Sequence, residues 1–286
     1  MKRLIITADD FGLSPGVNRA VEKAWRDGIL TGASLMAGGA AFDEAVAIGR
    51  RNPALQIGLH LTLVQGRGVL PPKEIPELVN DAGDFSPNPV RSGFRYFMDR
   101  GLYCQLKREI EAQILRVRTA GIDLTHIDGH LNIHLHPTVF RILQELMPRY
   151  GIKTFRLSRE RLGHNLRCDP ERKGGKMLER LIFGFLSDHV SAGLNQDGIG
   201  YAGEVKGVLN SGRMTESYLL KILDGLQDGV TELYFHPGML PDAELSRLMP
   251  DYRHGDELAA LLSPRIRERL AERGMQVQNY RGEVKC

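Results

Sequence analysis

The first sixty residues alternate between short apolar runs and segments with the periodicity of amphipathic helices. The segments SPGVNRAVEKAWRDGI and AFDEAVAIGRRNP repeat apolar residues at helical spacing, and Ser14 with Pro15 forms a helix-start signal. They separate three short apolar runs typical of buried strands, KRLIITAD, GASLMAG and LQIGLHLTL. Strands joined through helices by short connections indicate a parallel sheet with right-handed crossovers. The pattern predicts an α/β fold.

The alternation weakens twice along the rest of the chain. From about Gly66 to Gly101 the sequence is dense in Pro, Gly, Asn and Asp, which predicts a long excursion from the sheet. The stretch from about Glu160 to Gly212 shows no clear period. Outside these regions we predict strands at LTHIDGH, TFRLS and TELYFHPG, and helices over QLKREIEAQILRVRTAG, PTVFRILQELMPRYG and GDELAALLSPRIRERLAERG. No repeat or break in composition divides the chain, so we expect a single domain over residues 1–286.

Composition excludes several classes of protein. A chain of 286 residues with 42% hydrophobic and 26% charged residues can bury a large core, which argues against disorder. The net charge is only +3 and basic residues alternate with acidic ones, so we expect no nucleic-acid partner. Cys104, Cys168 and Cys286 lack CxxC spacing, which favours a reducing compartment. The first apolar run stops at Asp9, too short for a signal peptide or a membrane span, so we expect a cytoplasmic protein.

Polar side chains recur where the predicted strands end. Four of the nine histidines lie in HIDGHLNIHLHP alone. The groups at strand ends are Asp9, Asp10, His60, His126, Asp128, His130, Arg156 and His236. Taken singly, the aspartate pair suits a turn and His60 suits a hydrogen-bonded core position. Active sites of parallel α/β sheets and barrels lie beyond the carboxyl ends of the strands, so the coincidence of these groups on one edge favours function.

The residue types indicate a metal-assisted hydrolase. One carboxylate and two imidazoles form a three-ligand set that leaves coordination positions open for water and substrate. A second carboxylate beside the first can act as a general base, and a further histidine across the rim can act as a general acid. Zn²⁺ suits this ligand set, whereas Mg²⁺ prefers oxygen ligands.

Four motifs in order resemble the YdjC-like family of carbohydrate deacetylases over essentially the whole chain: TADDFGLS, IGLHLTL, THIDGHLNIHLHP and YFHPG. Three further segments, SLMAG, VLPP and YRHGDELAALLSP, resemble the branch associated with hopanoid biosynthesis. That branch is expected to remove an acetyl group from an N-acetylglucosaminyl hopanoid lipid. The residues between the clustered histidines, among them Asp128 and Asn132, differ from those expected at these positions in this branch.

The resemblance implies a role for each matching residue. Asp9 is the expected general base and His236 the general acid. The expected ligands of one divalent cation, with Zn²⁺ favoured and Mg²⁺ also described for the family, are Asp10, His60 and His130. His134, four residues after His130, is the rival ligand because this is the spacing of a helical ligand pair. Arg156 orients Asp9, binds substrate or only forms a salt bridge, and we expect substrate contacts from Arg156, His134 and Asp128.

Together, the pattern and the resemblance predict a distorted or incomplete TIM-type (β/α) barrel. The predicted activity is metal-dependent N-deacetylation of an N-acetylglucosamine-type sugar, with a soluble chitooligosaccharide as the nearest alternative substrate. A metal-dependent phosphoesterase should show more Lys and Arg, or a glycine-rich phosphate loop, around the rim. A catalytically inactive binding protein is disfavoured because both a base and an acid are present.

Partners and location follow from the same resemblance. We expect an acetylated amino-sugar substrate, and the resemblance leaves open a homodimer and peripheral contact with the inner membrane. The apolar residues between Gly66 and Gly101, among them Phe94 and Phe97, either cover the helices of the barrel or form an apolar wall beside the metal for the lipid part of the substrate.

Overall fold

A curled parallel sheet forms the centre of the protein in the computed structural model, which describes residues 1–285. The strands are β1 Lys2–Phe11, β2 Gly32–Leu35, β3 Gln56–Leu61, β4 Leu124–Gly129, β5 Glu204–Lys206, β6 Gly229–Phe235 and β7 Gln276–Val277. They run in the order β4-β3-β2-β1-β6-β5, and β7 also pairs with β1. All six strand pairings are parallel, as the alternation of strands and helices predicts.

The segment after β4 extends the curl toward β5. Ile127 and Phe155 form an isolated parallel bridge, and Thr154 forms another with Gly200. The backbone N–H of Val205 in β5 then donates to the carbonyl of Arg159. The sheet is therefore a half-barrel. Isolated bridges and single hydrogen bonds, and not a continuous strand, cross the gap between β4 and β5. The predicted distorted, incomplete barrel is confirmed, whereas TFRLS contributes isolated bridges and not the regular strand that we expected.

Helices cover the outside of the curled sheet. The first begins as predicted, because the Ser14 side chain accepts from the backbone N–H of Val17 at 3.3 Å and Pro15 occupies the first turn. The helices are α1 Pro15–Asp27, α2 Phe42–Arg51, α3 Pro89–Met98, α4 Tyr103–Thr119, α5 Pro137–Arg149, α6 Leu162–Cys168, α7 Lys173–Gln196, α8 Glu216–Asp224, α9 Ala243–Leu248, α10 His254–Leu262 and α11 Pro264–Glu272. Across residues 1–285 there is no helix with the length and hydropathy of a membrane span.

The two weakly periodic regions contain helices that the sequence analysis missed. In the first, α3 begins at Pro89 and the Asn88 side chain caps it by accepting from the backbone N–H of Arg91. In the second lie α6, the 24-residue α7 and the short strand β5. Several large apolar side chains of α7 are exposed, so its sequence lacks the single apolar stripe of a core-facing helix.

The predicted late helix is divided in two. Ser263 has ψ 125°, outside the helical region, because it precedes Pro264, and its side chain caps the second helix by accepting from the backbone N–H of Ile266. The helices α10 and α11 therefore meet at a bend. Cys286, the last of the three scattered cysteines and the end of the predicted domain, lies outside the described residues.

Gly39 allows the connections after β1 and β2 to touch. A Cβ at this position would lie 2.2 Å from the carbonyl oxygen of Gly12, which is backbone and cannot rotate away. Gly12 itself has φ +89° and directly follows the end of β1. This close approach fixes the connection that directly follows the aspartate pair at the end of β1.

We therefore expect Gly39→Ala to lower the free energy of unfolding by about 1 to 3 kcal/mol, the usual cost of an overpacked site. Gly255→Ala is the matched control, because within the described chain its Cβ would meet no atom within 4 Å and Gly255 lies in α10. The control should be neutral or slightly stabilising. Urea denaturation of both variants measures the difference, and equal midpoints would contradict the packing argument.

Candidate functional site

Two neighbouring carboxylates reach the same side of the sheet because the backbone turns at Asp10. Asp10 has φ 61°, the left-handed region that aspartate tolerates better than most residues. In a regular strand, adjacent side chains point to opposite faces. The turn instead brings both Asp9 and Asp10 to His60 of β3, so their oxygens lie within 4.8 Å of ligand nitrogens on that ring.

Asp10, His60 and His130 form a buried cluster. The Oδ1 atom of Asp10 lies 3.3 Å from His60 Nε2 and 3.1 Å from His130 Nδ1. The other carboxylate oxygen, Asp10 Oδ2, is buried without a hydrogen-bond partner among residues 1–285. A buried carboxylate oxygen rarely lacks a partner, and two imidazole nitrogens beside it complete a set of ligands for a divalent cation. These three residues could hold a metal ion.

A second set of contacts orients His60. Its Nδ1 donates to Asp128 Oδ1 at 2.8 Å, which directs Nε2 toward Asp10. The second oxygen of Asp128 accepts from Ser34 Oγ of β2 at 2.6 Å, and Ser34 in turn accepts from His126. Carboxylates that hold the far nitrogen of a ligand histidine are usual in metal sites. His126 therefore supports the ligand set through Ser34 and Asp128 and is not part of the cluster beside Asp10.

Arg156 binds three buried carboxylates. Its two terminal nitrogens donate to the two oxygens of Asp9 at 2.7 and 2.8 Å. Its Nε donates to Glu232 of β6 at 2.6 Å, and one terminal nitrogen also lies 2.7 Å from Asp128. The guanidinium is only 1% exposed. The geometry favours the interpretation that Arg156 orients Asp9.

Burial and charge shift the pKa values of the cluster in different directions. Burial raises the pKa of Asp9 to about 6, although Arg156 opposes the shift. Burial also disfavours the ionised form of Asp10, but hydrogen bonds from His130 and His60 outweigh it and hold the pKa of Asp10 well below its usual range. Burial opposes protonation of His60, yet the charges of Asp128 and Asp9 raise its pKa to about 10. The His60 ring is therefore protonated at neutral pH in the free protein, and a cation that binds to its nitrogen must displace this proton.

A cavity of about 630 Å³ opens above the cluster, a volume that suits a sugar-sized ligand. Its polar floor includes Asp9, His60 and His130. Apolar side chains from α3, α7 and the segment after β4 form much of its wall, and they are Val90, Leu131, Ile182, Phe183 and Leu186. The site therefore combines a polar, acidic floor with an apolar wall.

His236 follows β6 and lines the same cavity. Its backbone N–H donates to Glu257, and its carbonyl accepts from His254 Nδ1 at 2.7 Å. Its ring meets the edge of the Tyr252 ring at a centroid distance of 5.0 Å. Burial lowers the pKa of His236 to about 3, so the free ring is neutral at neutral pH.

The rival ligand His134 faces away from the cluster. Residues His130–Leu135 form a short 3₁₀ segment in which Leu131 and Asn132 adopt left-handed conformations, so the helical i, i+4 geometry is absent there. His134 Nε2 instead donates to the carbonyl of Arg156 at 2.9 Å. The cluster beside Asp10 therefore contains His130 and not His134.

Three residues expected to contact substrate are buried beneath the cavity. Asp128, His134 and Arg156 are at most 1% exposed and are not among the side chains that line it. The sequence analysis also missed Ser34 and Glu232, which support Asp128 and Arg156. The sequence signal for Glu232 is a charged residue directly before the apolar residues LYF of the predicted strand TELYFHPG.

Comparisons with known proteins identify the family. The sequence model of a family described as YdjC-like protein matches residues 3–272. The chain belongs to this family. YdjC-like relatives include a carbohydrate deacetylase of Geobacillus stearothermophilus, 31% identical over 278 residues that make up 97% of this chain and 96% of that protein. A carbohydrate deacetylase of Mus musculus is 30% identical over 299 residues, covering 96% of this chain and 93% of that protein.

The fold agrees with this assignment. A crystal structure of an Enterococcus faecalis protein described as a cellobiose-phosphate cleavage protein superposes with a TM-score of 0.74. The two chains are 26% identical, and the match covers 98% of each. The prediction of a YdjC-like chain in a family of carbohydrate deacetylases is confirmed.

The geometry of the cluster leads to a test of its ligands. We expect His130→Ala to weaken Zn²⁺ binding more than about 100-fold, because it removes a nitrogen beside Asp10. His134→Ala should weaken Zn²⁺ binding less, because His134 supports the site without belonging to the cluster. Isothermal titration with Zn²⁺, checked by elemental analysis, measures both. Loss of binding in His134→Ala with retention in His130→Ala would refute the assignment of His130.

Proposed function

We propose that the chain, acting as a single domain over residues 1–286, is a metal-dependent N-deacetylase that releases acetate from an N-acetylglucosamine-type sugar. The observation that carries this proposal is the buried cluster of Asp10, His60 and His130, with Asp9 beside it, at the floor of a sugar-sized cavity. The relatives named carbohydrate deacetylases support the same conclusion.

Asp10, His60 and His130 would hold the metal. A carboxylate with two imidazoles favours Zn²⁺ over Mg²⁺, which prefers oxygen ligands and retains its waters. When bound, the cation supplies Lewis acidity toward the amide oxygen and lowers the pKa of a coordinated water. Two observations support this ligand set: Asp10 Oδ2 has no hydrogen-bond partner in the described part of the chain, and His60 Nδ1 donates to Asp128.

Asp9 is the proposed general base. It lines the cavity next to His60, and a carboxylate that accepts two hydrogen bonds from Arg156 still has lone pairs for the proton of an attacking water. Arg156 holds the Asp9 carboxylate in one orientation, so Arg156 is a positioning residue in this proposal. Asp128 and His134 have similar supporting roles through His60 and the Arg156 backbone.

His236 is the proposed general acid. Cleavage breaks the bond between the acetyl carbon and the sugar nitrogen, and the nitrogen must gain a proton to leave as a free amine. The ring of His236 is neutral in the free protein because burial lowers its pKa to about 3. Negative charge that develops on the substrate during attack raises the proton affinity of a neighbouring imidazole, so His236 can take up a proton from solvent in the open cavity and donate it to the leaving nitrogen, while Asp9 keeps the proton of the attacking water.

The wall of the cavity favours a substrate with an apolar aglycone, and we propose the N-acetylglucosaminyl head group of a hopanoid lipid. Val90, Ile182 and Leu186 stand beside the polar floor, where they can contact a rigid apolar group attached to the sugar. Phe94 and Phe97, which were expected either to cover the helices of the barrel or to form this wall, are mostly exposed and do not line the cavity, so they do neither. A soluble chitooligosaccharide with the same chemistry is the alternative substrate.

A phosphoesterase is less well supported by the same cavity. Among residues 1–285, its lining contains neither Lys nor Arg, whereas a site for a phosphate ester needs cationic groups to neutralise the phosphoryl oxygens.

The role of Asp9 predicts that Asp9→Asn keeps bound metal but lowers kcat by about 10² to 10⁴, since an amide cannot accept the proton of water. Acetate release from an N-acetylglucosaminide, with metal content measured in parallel, tests this. Asp43→Asn, an exposed carboxylate on α2, is the control and should keep full activity. Near-normal turnover in Asp9→Asn would eliminate Asp9 as the base.

The aglycone is tested by comparing two substrates. Val90→Ser should raise KM for a lipid-linked N-acetylglucosaminide on the order of fivefold to tenfold, because apolar contact area is lost, and should barely change KM for a short soluble one. Val284→Ser is the control, since Val284 is also exposed but does not line the cavity. An equal response of both substrates, or a preference of the unmodified protein for the soluble one, would favour the chitooligosaccharide.

A further inference from the structure

Two helices beside the cavity expose large apolar side chains to solvent. On α7, Leu178, Leu181 and Phe185 are 59%, 68% and 72% exposed. On α3, Phe94 and Phe97 are 67% and 63% exposed. Scattered apolar residues are common on protein surfaces, but five large exposed side chains on the two helices that flank one cavity mark an interaction surface. We call these five residues the apolar rim.

The rim borders the opening of the cavity. Val90 of α3 and Ile182 of α7 line the same cavity, and both helices pack against α5. Leu181 and Phe185 belong to the same helix as the lining residues but point outside the cavity. Whatever covers the rim therefore lies next to the entrance for substrate.

Within helices α3 and α7, the charged side chains that form no ion pair in the described chain are basic, although the unpaired Asp99 directly follows α3 and the unpaired Asp251 lines the cavity. Across residues 1–285, Arg91 of α3 and the α7 residues Lys173 and Arg180 take part in no ion pair. The acidic residues of α7 are neutralised, since Glu179 pairs with Arg172 and Asp188 pairs with Arg159. An apolar surface flanked by uncompensated positive charge complements anionic lipid head groups above an acyl region.

We propose that the apolar rim docks on the surface of an anionic lipid bilayer, with α3 and α7 lying at the interface and the cavity opening toward the membrane. This rests on the proposed function in one respect: a lipid-linked sugar could then enter the cavity without leaving the bilayer. A second copy of the chain seated on both helices would instead cover the opening between them. The bilayer is therefore the partner that the geometry favours.

Vesicle flotation tests the docking directly. The full chain should bind phosphatidylcholine vesicles that contain roughly one third phosphatidylglycerol, and bind pure phosphatidylcholine more weakly. The double variant Leu181→Glu with Phe185→Glu should lower partitioning about tenfold or more, because it places charge at the interface. Lys173→Glu with Arg180→Glu should weaken binding to the anionic vesicles only. Leu115→Glu changes an exposed leucine of α4 outside the rim and should bind like the unmodified protein.

Two further measurements separate the explanations. Thermal unfolding and acetate release from a short soluble N-acetylglucosaminide should be unchanged in Leu181→Glu with Phe185→Glu, which shows that loss of vesicle binding is not loss of folding. Vesicle binding by a protein that releases no acetate would support the docking while contradicting the proposed function. Absence of vesicle binding in the unmodified protein overturns the docking. A dimer in light scattering that the double variant converts to a monomer, without any vesicle binding, identifies a second copy as the partner and also overturns it.

Discussion

The buried contacts of Arg156 are the constraint on which the rest of the site depends. One guanidinium holds Asp9 of β1, Asp128 of β4 and Glu232 of β6, so it joins three strands of the curled sheet by charge. Buried carboxylates are costly unless they are paired, and removing one partner of such a group typically costs about 3 to 5 kcal/mol. The sheet can therefore bring several carboxylates together at one edge only because Arg156 lies among them.

The same cluster determines the geometry of the candidate metal ligands. Asp128, held by Arg156 and Ser34, accepts from His60 Nδ1 and so turns His60 Nε2 toward Asp10. The left-handed backbone at Asp10 then brings its carboxylate to both histidines. Four buried carboxylates, Asp9, Asp10, Asp128 and Glu232, face two cationic groups, Arg156 and the protonated His60, and Asp10 Oδ2 has no hydrogen-bond partner among residues 1–285. A divalent cation at this position satisfies both the charge and the missing contact.

The sequence predicts where strands end better than it predicts the backbone conformation within a motif. Buried parallel strands are continuous apolar runs, so the abrupt change to Asp9 and the late position of His60 show where two strands reach the edge. The choice between His130 and His134 depends instead on left-handed conformations at Leu131 and Asn132, which spacing alone cannot reveal. Periodicity assumes a regular helix, and this segment is not one. The contacts of Glu232 and Ser34 are likewise tertiary and arise only when the sheet curls.

The failure to predict α7 and the exposure of its apolar side chains have one physical cause. Periodicity detects a helix by the stripe that it buries in the core, and α7 buries few residues, Lys176, Gly184 and Ser187 among them, while Leu181 and Phe185 face solvent. Packing within the described chain explains Val190 and Leu194, which α7 buries, but not Leu181 and Phe185. The same holds for α3, where Tyr96 is buried but Phe94 and Phe97 are not. Both helices border the cavity, so the residues that the core does not explain are concentrated beside the entrance, where an external apolar partner would account for them.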